Sequence, residues 1–202
     1  MSKLLREFFE LCDGGICQDF LTEQERVFVK GGGMILTGKI QEADRENGNG
    51  RIYSEKILKR ELEKYQNLIK DNRALGELDH PDSSVVNLSK VSHLITEVWW
   101  DGKRVMGKLK VLSTKDGEQL KSLIKDGVKL GISSRGLGST HTRDGKIIVE
   151  DDFQLICFDI VAEPSTPEAF VGITKSSGLS ENKEVKKLDK YNQLMLDILK
   201  DN

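Results

Sequence analysis

The sequence predicts an α+β domain whose sheet is closed or partly closed into a barrel and flanked by helices. Three observations carry this. Strand-like runs are numerous, and helical stretches interrupt them in irregular order. Asp101-Gly102 is a strong hairpin signal between apolar runs, and Arg143-Asp144-Gly145-Lys146 reads as a turn between strands. The stretches 55–70 and 115–125 instead show helical spacing behind good capping residues. The length of 202 residues fits one domain with tails.

In chain order, Leu4, Leu5, Phe8, Phe9 and Leu11 are spaced for one face of an amphipathic helix, which Gly14-Gly15 would end. Gly31-Gly32-Gly33 is a natural hinge. Residues 1–30 are therefore an N-terminal tail, 31–174 the domain proper, and 175–202 a C-terminal tail. A strand follows over 34–41. Asn47-Gly48-Asn49-Gly50 is a loop needing permissive backbone angles. Ser54 caps a helix over 55–70, with Ile57, Leu58, Leu62, Tyr65, Leu68 and Ile69 as its buried stripe. Ala74–Leu78 is short and apolar. The 91–100 and 103–112 strands form a hairpin, and Trp99 and Trp100 put one ring on each sheet face. Ser113 or Thr114 caps a helix over 115–125, ended by Gly127. Strands follow over 128–134, 147–149 and 153–162. In the last tail, Leu188, Tyr191, Leu194, Met195 and Ile198 give one apolar face to a helix over 185–200.

The composition excludes several function classes. A formal net charge of −2 and the lack of a basic stripe give no reason to expect a nucleic-acid partner. No apolar run approaches the roughly 20 residues of a membrane span. Glu7 and Glu10 interrupt the N-terminus, so it does not read as a signal peptide. Cys12, Cys17 and Cys157 are an odd count without metal-ligand spacing, which reads as reduced thiols, with Cys157 packing as a small apolar residue. No metal and no organic cofactor is implied, and no phosphate-binding loop is present.

The chemistry-bearing stretch is Gly131-Ile-Ser-Ser-Arg-Gly-Leu-Gly-Ser139. Two serines follow an apolar, strand-like run, and then come an arginine and glycines spaced for close backbone approach. Serine needs a positioned base to act as a nucleophile. His80, in Gly76-Glu-Leu-Asp-His-Pro81, is the candidate: Pro81 restricts it to extended geometry, and histidine's ordinary pKa of about 6.5 suits proton transfer near neutrality. The bland alternative is a turn residue held by Asp79 or Glu77. His93 reads as a packed or exposed strand residue, and His141 lies in the loop after the serines. The orienting acid is best supplied by Asp159. It stands in the apolar run Leu155–Val161, where a carboxylate is costly to bury without a partner. Asp151 and Asp152 are runners-up that read equally well as a solvated turn.

These motifs together resemble one family. Gly-Glu-Leu-Asp-His-Pro, followed roughly fifty residues later by Gly-Ile-Ser-Ser-Arg-Gly-Leu-Gly-Ser, is similar to the myovirus-type prohead core protease of tailed bacteriophages, a relative of herpesvirus assemblin. Asn47–Tyr53, Trp99-Trp100, Asp159–Ser165 and Pro167–Phe170 extend the resemblance over about 34–173. It implies a herpes-protease-like antiparallel barrel and a serine endopeptidase. Ser133 matches the nucleophile, and Ser134 would point away and hydrogen-bond locally. Asp159 matches the family's acid. Backbone N–H groups at Arg135 and Gly136 would form the oxyanion hole, and Arg135 would hold a water or a backbone carbonyl, its bland alternative being a surface salt bridge. In assemblins the third member is a second histidine, but His141 stands only eight positions after Ser133, too close for a separate strand to return.

The resemblance also implies scaffolding core and major capsid proteins as substrates, inside the assembling prohead in the host cytoplasm. Self-association stays open. Cleavage after Glu in Leu/Ile-x-Glu is implied, and Leu5-Arg-Glu7, Leu21-Thr-Glu23 and Leu179-Ser-Glu181 fit it, so self-trimming is expected at Glu23 and Glu181. Ile95-Thr-Glu97 and Ile148-Val-Glu150 also fit but fall in expected strands. The competing class is a catalytically inactive procapsid scaffold or structural protein with the same barrel. An esterase would need the Gly-x-Ser-x-Gly elbow that the chain lacks.

Overall fold

The structure, a computed structural model, describes residues 3–9 and 21–162. Strand β1 (Lys3–Phe9) corrects the helix expected there: this stretch is extended and pairs antiparallel with residues 131–138. A helix this short is marginal on its own, and a ladder along a neighbouring strand satisfies the same backbone groups. Helix α1 (Glu23–Lys30) follows. Thr22 accepts from the Glu25 N–H while the Glu25 carboxylate accepts from the Thr22 N–H, a complete capping box.

The remaining elements are β2 (Ile35–Glu42), β3 (Arg51–Ile52), α2 (Glu55–Lys70), β4 (Leu75–Glu77), β5 (Val91–Asp101), β6 (Arg104–Val111), α3 (Lys115–Lys125), β7 (Gly131–Gly138), β8 (Thr140–Arg143), β9 (Lys146–Val149) and β10 (Gln154–Val161). Most of them lie close to where the sequence puts them; β3 and β8 are strands the sequence did not announce, so His141 stands in a strand and not in a loop, and the serine strand runs on to Gly138. Ser54 Oγ accepts from the Ile57 N–H to cap α2, and Thr114, not Ser113, caps α3. Gly102 and Gly145 carry φ of +60° and +75° in the two hairpin turns, as Asp-Gly turns require.

The strands form three sheets, ordered β1-β7-β10, β2-β6-β5-β4 and β3-β9-β8. The β1-β7-β10 and β2-β6-β5-β4 sheets abut where β10 runs beside β4. There the single bridge Leu78–Ile160 and the Asp79 N–H donated to the Ile160 carbonyl (2.7 Å) replace a ladder. β1 lies beside β2 at the opposite seam. Hydrogen bonding therefore does not close a barrel among the described residues. The core between these sheets and the helices includes Leu36, Ile40, Ile95, Leu109, Ile132, Ile160, Leu120 and Leu62, all buried. Each such side chain contributes roughly 1.5–3 kcal/mol. A second cluster joins Tyr53, Ile57 and Leu58 to Val149 and Phe153, with the Tyr53 and Phe153 rings edge-to-face at 5.1 Å. Among the described residues, no helix is long and apolar enough to cross a membrane.

Candidate active site

β7 is the middle strand of its sheet, and alternation splits its residues between two faces. Ile132 and Ile160 stand opposite each other and face the core. On the other face, Ser133 stands opposite Asp159, and Arg135 opposite Cys157. Two cross-strand pairs, two residues apart, thus set a row of polar groups side by side.

The loop after β4 lays His80 across that row. Asp79 adopts the left-handed region (φ +72°), its carboxylate accepts the His80 N–H at 2.8 Å, and Pro81 follows. The imidazole then bridges one cross-strand pair: Nε2 lies 2.7 Å from Ser133 Oγ, and Nδ1 lies 2.9 Å from Asp159 Oδ2. The carboxylate partner assigns the proton to Nδ1, which leaves Nε2 free to accept from the serine. The His80 side chain is 14% exposed and Asp159 is fully buried. The three residues expected to act together are therefore in one hydrogen-bonded line.

Asp159 is held on every side. Its Oδ1 accepts from the Glu77 N–H (3.0 Å), from an Arg135 guanidinium N–H (3.2 Å) and from the Cys157 thiol (3.3 Å). Arg135 Nε sits 2.8 Å from Oδ2. Burial pushes this carboxyl up, but the His80 hydrogen bond, the Arg135 charge and the Glu77 N–H outweigh it, and its pKa lies below the ordinary value of 3.8. Burial, reinforced by the Asp159 charge, pushes the Cys157 thiol well up, so it stays protonated as a donor.

Arg135 is fully buried, which corrects the alternative of a surface salt bridge. Its guanidinium donates to Glu77 Oε1 and to the Ser83 carbonyl, both at 2.8 Å, and to the Cys157 sulfur at 3.2 Å. Glu77 is a partner that sequence reading weighed only as a holder of His80. Its sole signal was a carboxylate in the short apolar stretch Ala74–Leu78. Cys157, expected to pack as an apolar residue, is buried as expected but hydrogen-bonds within the site.

Ser134 faces away from Ser133, as alternation requires, but its partner is not local: the Gln41 side chain on β2 donates to its Oγ at 3.0 Å. Gly136 is a packing position. A Cβ there would meet the Phe153 ring at 2.4 Å and the Gln154 carbonyl at 2.6 Å. The backbone at Arg135 and Gly136 is paired with β1 on one side and β10 on the other.

The alternatives are engaged elsewhere. Asp151 pairs with Lys56, and Asp152 accepts from the Ser139 N–H and hydroxyl. His141 is exposed and pairs with Glu150 at 2.6 Å. His93 is fully buried between Ser92 Oγ and the Phe158 carbonyl.

The sequence profile of the family described as "Prohead core protein serine protease" matches residues 16–181. The chain belongs to this prohead core protease family. It is 36% identical over 144 residues to the prohead core protein protease of Enterobacteria phage T4, covering 69% of this chain and 68% of that protein. The solved structure of the bacteriophage T4 capsid assembly protease superposes with a TM-score of 0.67 at 29% identity, covering 79% of this chain and 98% of that one. Of the sites expected in this prohead core protease for self-trimming, Glu181 lies outside the described residues. Glu23 is the first residue of α1, and Leu21 before it is buried, so cutting there requires the capped helix to unwind. The triplets ending at Glu97 and Glu150 begin within β5 and β9.

Proposed function

We propose that this prohead core protease is a serine endopeptidase with Ser133 as nucleophile, His80 as general base and then acid, and Asp159 as the orienting carboxylate. The observation that carries the reading is the continuous line Ser133 Oγ to His80 Nε2 (2.7 Å) and His80 Nδ1 to Asp159 Oδ2 (2.9 Å). Ser133 Oγ attacks the scissile carbonyl carbon as His80 Nε2 takes its proton. Asp159 accepts from Nδ1–H and balances the imidazolium charge. His80 then gives the proton to the leaving amine, and water hydrolyses the acyl-enzyme by the same route in reverse.

The oxyanion donors are backbone N–H groups at Arg135 and Gly136, a role that needs a neighbouring strand to yield locally, because β7 is paired on both sides. Ser134 supports the strand through Gln41. The scaffold is a herpes-protease-like barrel, with the β4–β10 and β1–β2 seams as its closures; the Leu78–Ile160 bridge supports the first. The substrates are scaffolding core and major capsid proteins inside the prohead in the host cytoplasm, cut after Glu in Leu/Ile-x-Glu. The tails 1–30 and 175–202 are self-processed at Glu23 and Glu181, and the cut at Glu23 frees β1 to leave β7, which would open the β1–β2 seam. The names of the T4 relatives, a prohead core protein protease and a capsid assembly protease, support this reading.

The test is incubation of wild type and Ser133→Ala with a peptide spanning Leu179 to Lys183, read by mass spectrometry. Cleavage after Glu181 by wild type alone is expected. Cleavage by both moves the nucleophile, with Ser134 next, and cleavage by neither favours the inactive structural protein.

A further inference from the structure

The buried carboxylate of Glu77 has no part in the reaction as written, yet it is fully enclosed and ion-paired within the site. A charge is not buried without consequence for the charges beside it. Arg135 touches both carboxylates: Glu77 Oε1 at 2.8 Å, Asp159 Oδ2 at 2.8 Å and Asp159 Oδ1 at 3.2 Å. If Arg135 faced Asp159 alone, the pair would be neutral, and an imidazolium forming at His80 would meet little net negative charge. With Glu77 present the cluster carries one net negative charge while His80 is neutral, and none once His80 is protonated.

We propose that Glu77 is a positioning residue that neutralises Arg135, so that the Asp159 charge stays available to the His80 imidazolium, and that the same pair fixes the loop carrying His80. This rests on the reading of Ser133, His80 and Asp159 as the catalytic line. Beyond the bond from Asp79 to Ile160, two anchors of the loop end on this pair. Arg135 Nη1 donates to the Ser83 carbonyl, and Glu77 Oε1 accepts from the Asn87 N–H at 2.9 Å. Between them Ser83 and Val85 close a local turn, and Val85 and Leu88 stand exposed.

The groups that face His80 come from several elements. Asp159 on β10 and Asp79 on its own loop bond His80 directly, Cys157 on β10 and Arg135 on β7 bond Asp159, Glu77 on β4 bonds Arg135, and His93 on β5 and Tyr65 on α2 lie close behind Asp159. Among them, only Glu77 and Arg135 are charged, fully buried and not bonded to the imidazole themselves.

The test is an NMR titration of the His80 ring in the full chain, in a Ser133→Ala background that prevents self-cleavage. It needs no activity, so it stands even if wild type cuts no peptide, which would fail the triad reading instead. Glu77→Gln keeps an acceptor for Arg135 and for the Asn87 N–H while removing the charge. The expected result is a roughly tenfold fall in His80 proton affinity, the size a charge at this range exerts in a buried setting. Glu77→Asp keeps the charge and the wild-type midpoint, and Arg135→Gln moves the midpoint the opposite way. An unchanged midpoint in Glu77→Gln, or an equal fall in Glu77→Asp, overturns the proposal. If Glu77→Gln does not fold, judged by amide dispersion, Arg135→Gln decides on the sign of its shift. In the active protein, the acid limb of kcat/KM should move to lower pH in Glu77→Gln with KM little changed.

Discussion

Two histidines stand near Asp159, and they have opposite fates. His80 reaches it from a loop, keeps 14% of its side chain exposed, and has a carboxylate on one nitrogen and a hydroxyl on the other. His93 comes from near the start of β5, is fully buried, and bonds only neutral groups, Ser92 Oγ and the Phe158 carbonyl. Burial outweighs the nearby Asp159 charge and lowers the His93 pKa from its ordinary 6.5 to about 4. Proximity to an acid does not make a base. A proton can be stored only where a carboxylate bonds the ring directly and water can reach it.

The contrast breaks most completely at His80 and Ser133. Under the proposed mechanism, His80→Ala or Ser133→Ala should lower kcat on the order of 10⁶-fold, measured by peptide cleavage at saturating substrate. Asp159→Asn should cost about 10⁴-fold, because the amide no longer selects the tautomer with Nδ1–H. His93→Gln should leave kcat per folded molecule within a few-fold, and a loss as large as that of His80→Ala would reverse the assignment.

The two histidines also differ in what pH does to stability. The unfolded chain protonates His93 below about pH 6.5, while the folded protein keeps it neutral down to about 4. Its contribution is therefore fully present above pH 6.5 and is lost as pH falls to about 4, roughly 3 kcal/mol in all. Asp159, with its carboxyl held below 3.8, loses its contribution only at still lower pH. Urea melts at pH 7 and 4.5 should show the loss in wild type and a smaller one in His93→Gln.

The smallest expected effect is Gly76→Ala. A Cβ there would stand 2.1 Å from the Phe158 carbonyl oxygen and 2.2 Å from His93 Nε2, so strand or ring must shift, costing about 1–3 kcal/mol in a thermal melt.

Much of this was legible in the sequence because it is local. Ser54 and Thr114 cap helices, the Asp-Gly pairs turn hairpins, and alternation puts Ser133 and Ser134 on opposite faces, all through contacts within a few residues. The first thirty residues were not legible. Leu4, Leu5, Phe8 and Phe9 satisfy a helical spacing, but the partner that makes residues 3–9 a strand lies more than 120 positions away. Glu77 was equally hidden, because its role depends on Arg135, and nothing in either neighbourhood announces the other.

Helices α2 and α3, the hairpin turns, the opposite faces of Ser133 and Ser134 and the need for Asp159 to have a partner all follow from the amino-acid order. That Ser133 stands opposite Asp159 and Arg135 opposite Cys157, and that the loop after β4 lays His80 across the first pair, comes from contacts between distant segments. Register between strands is set by long-range packing, and a slip of one residue would have turned every one of these side chains to the other face.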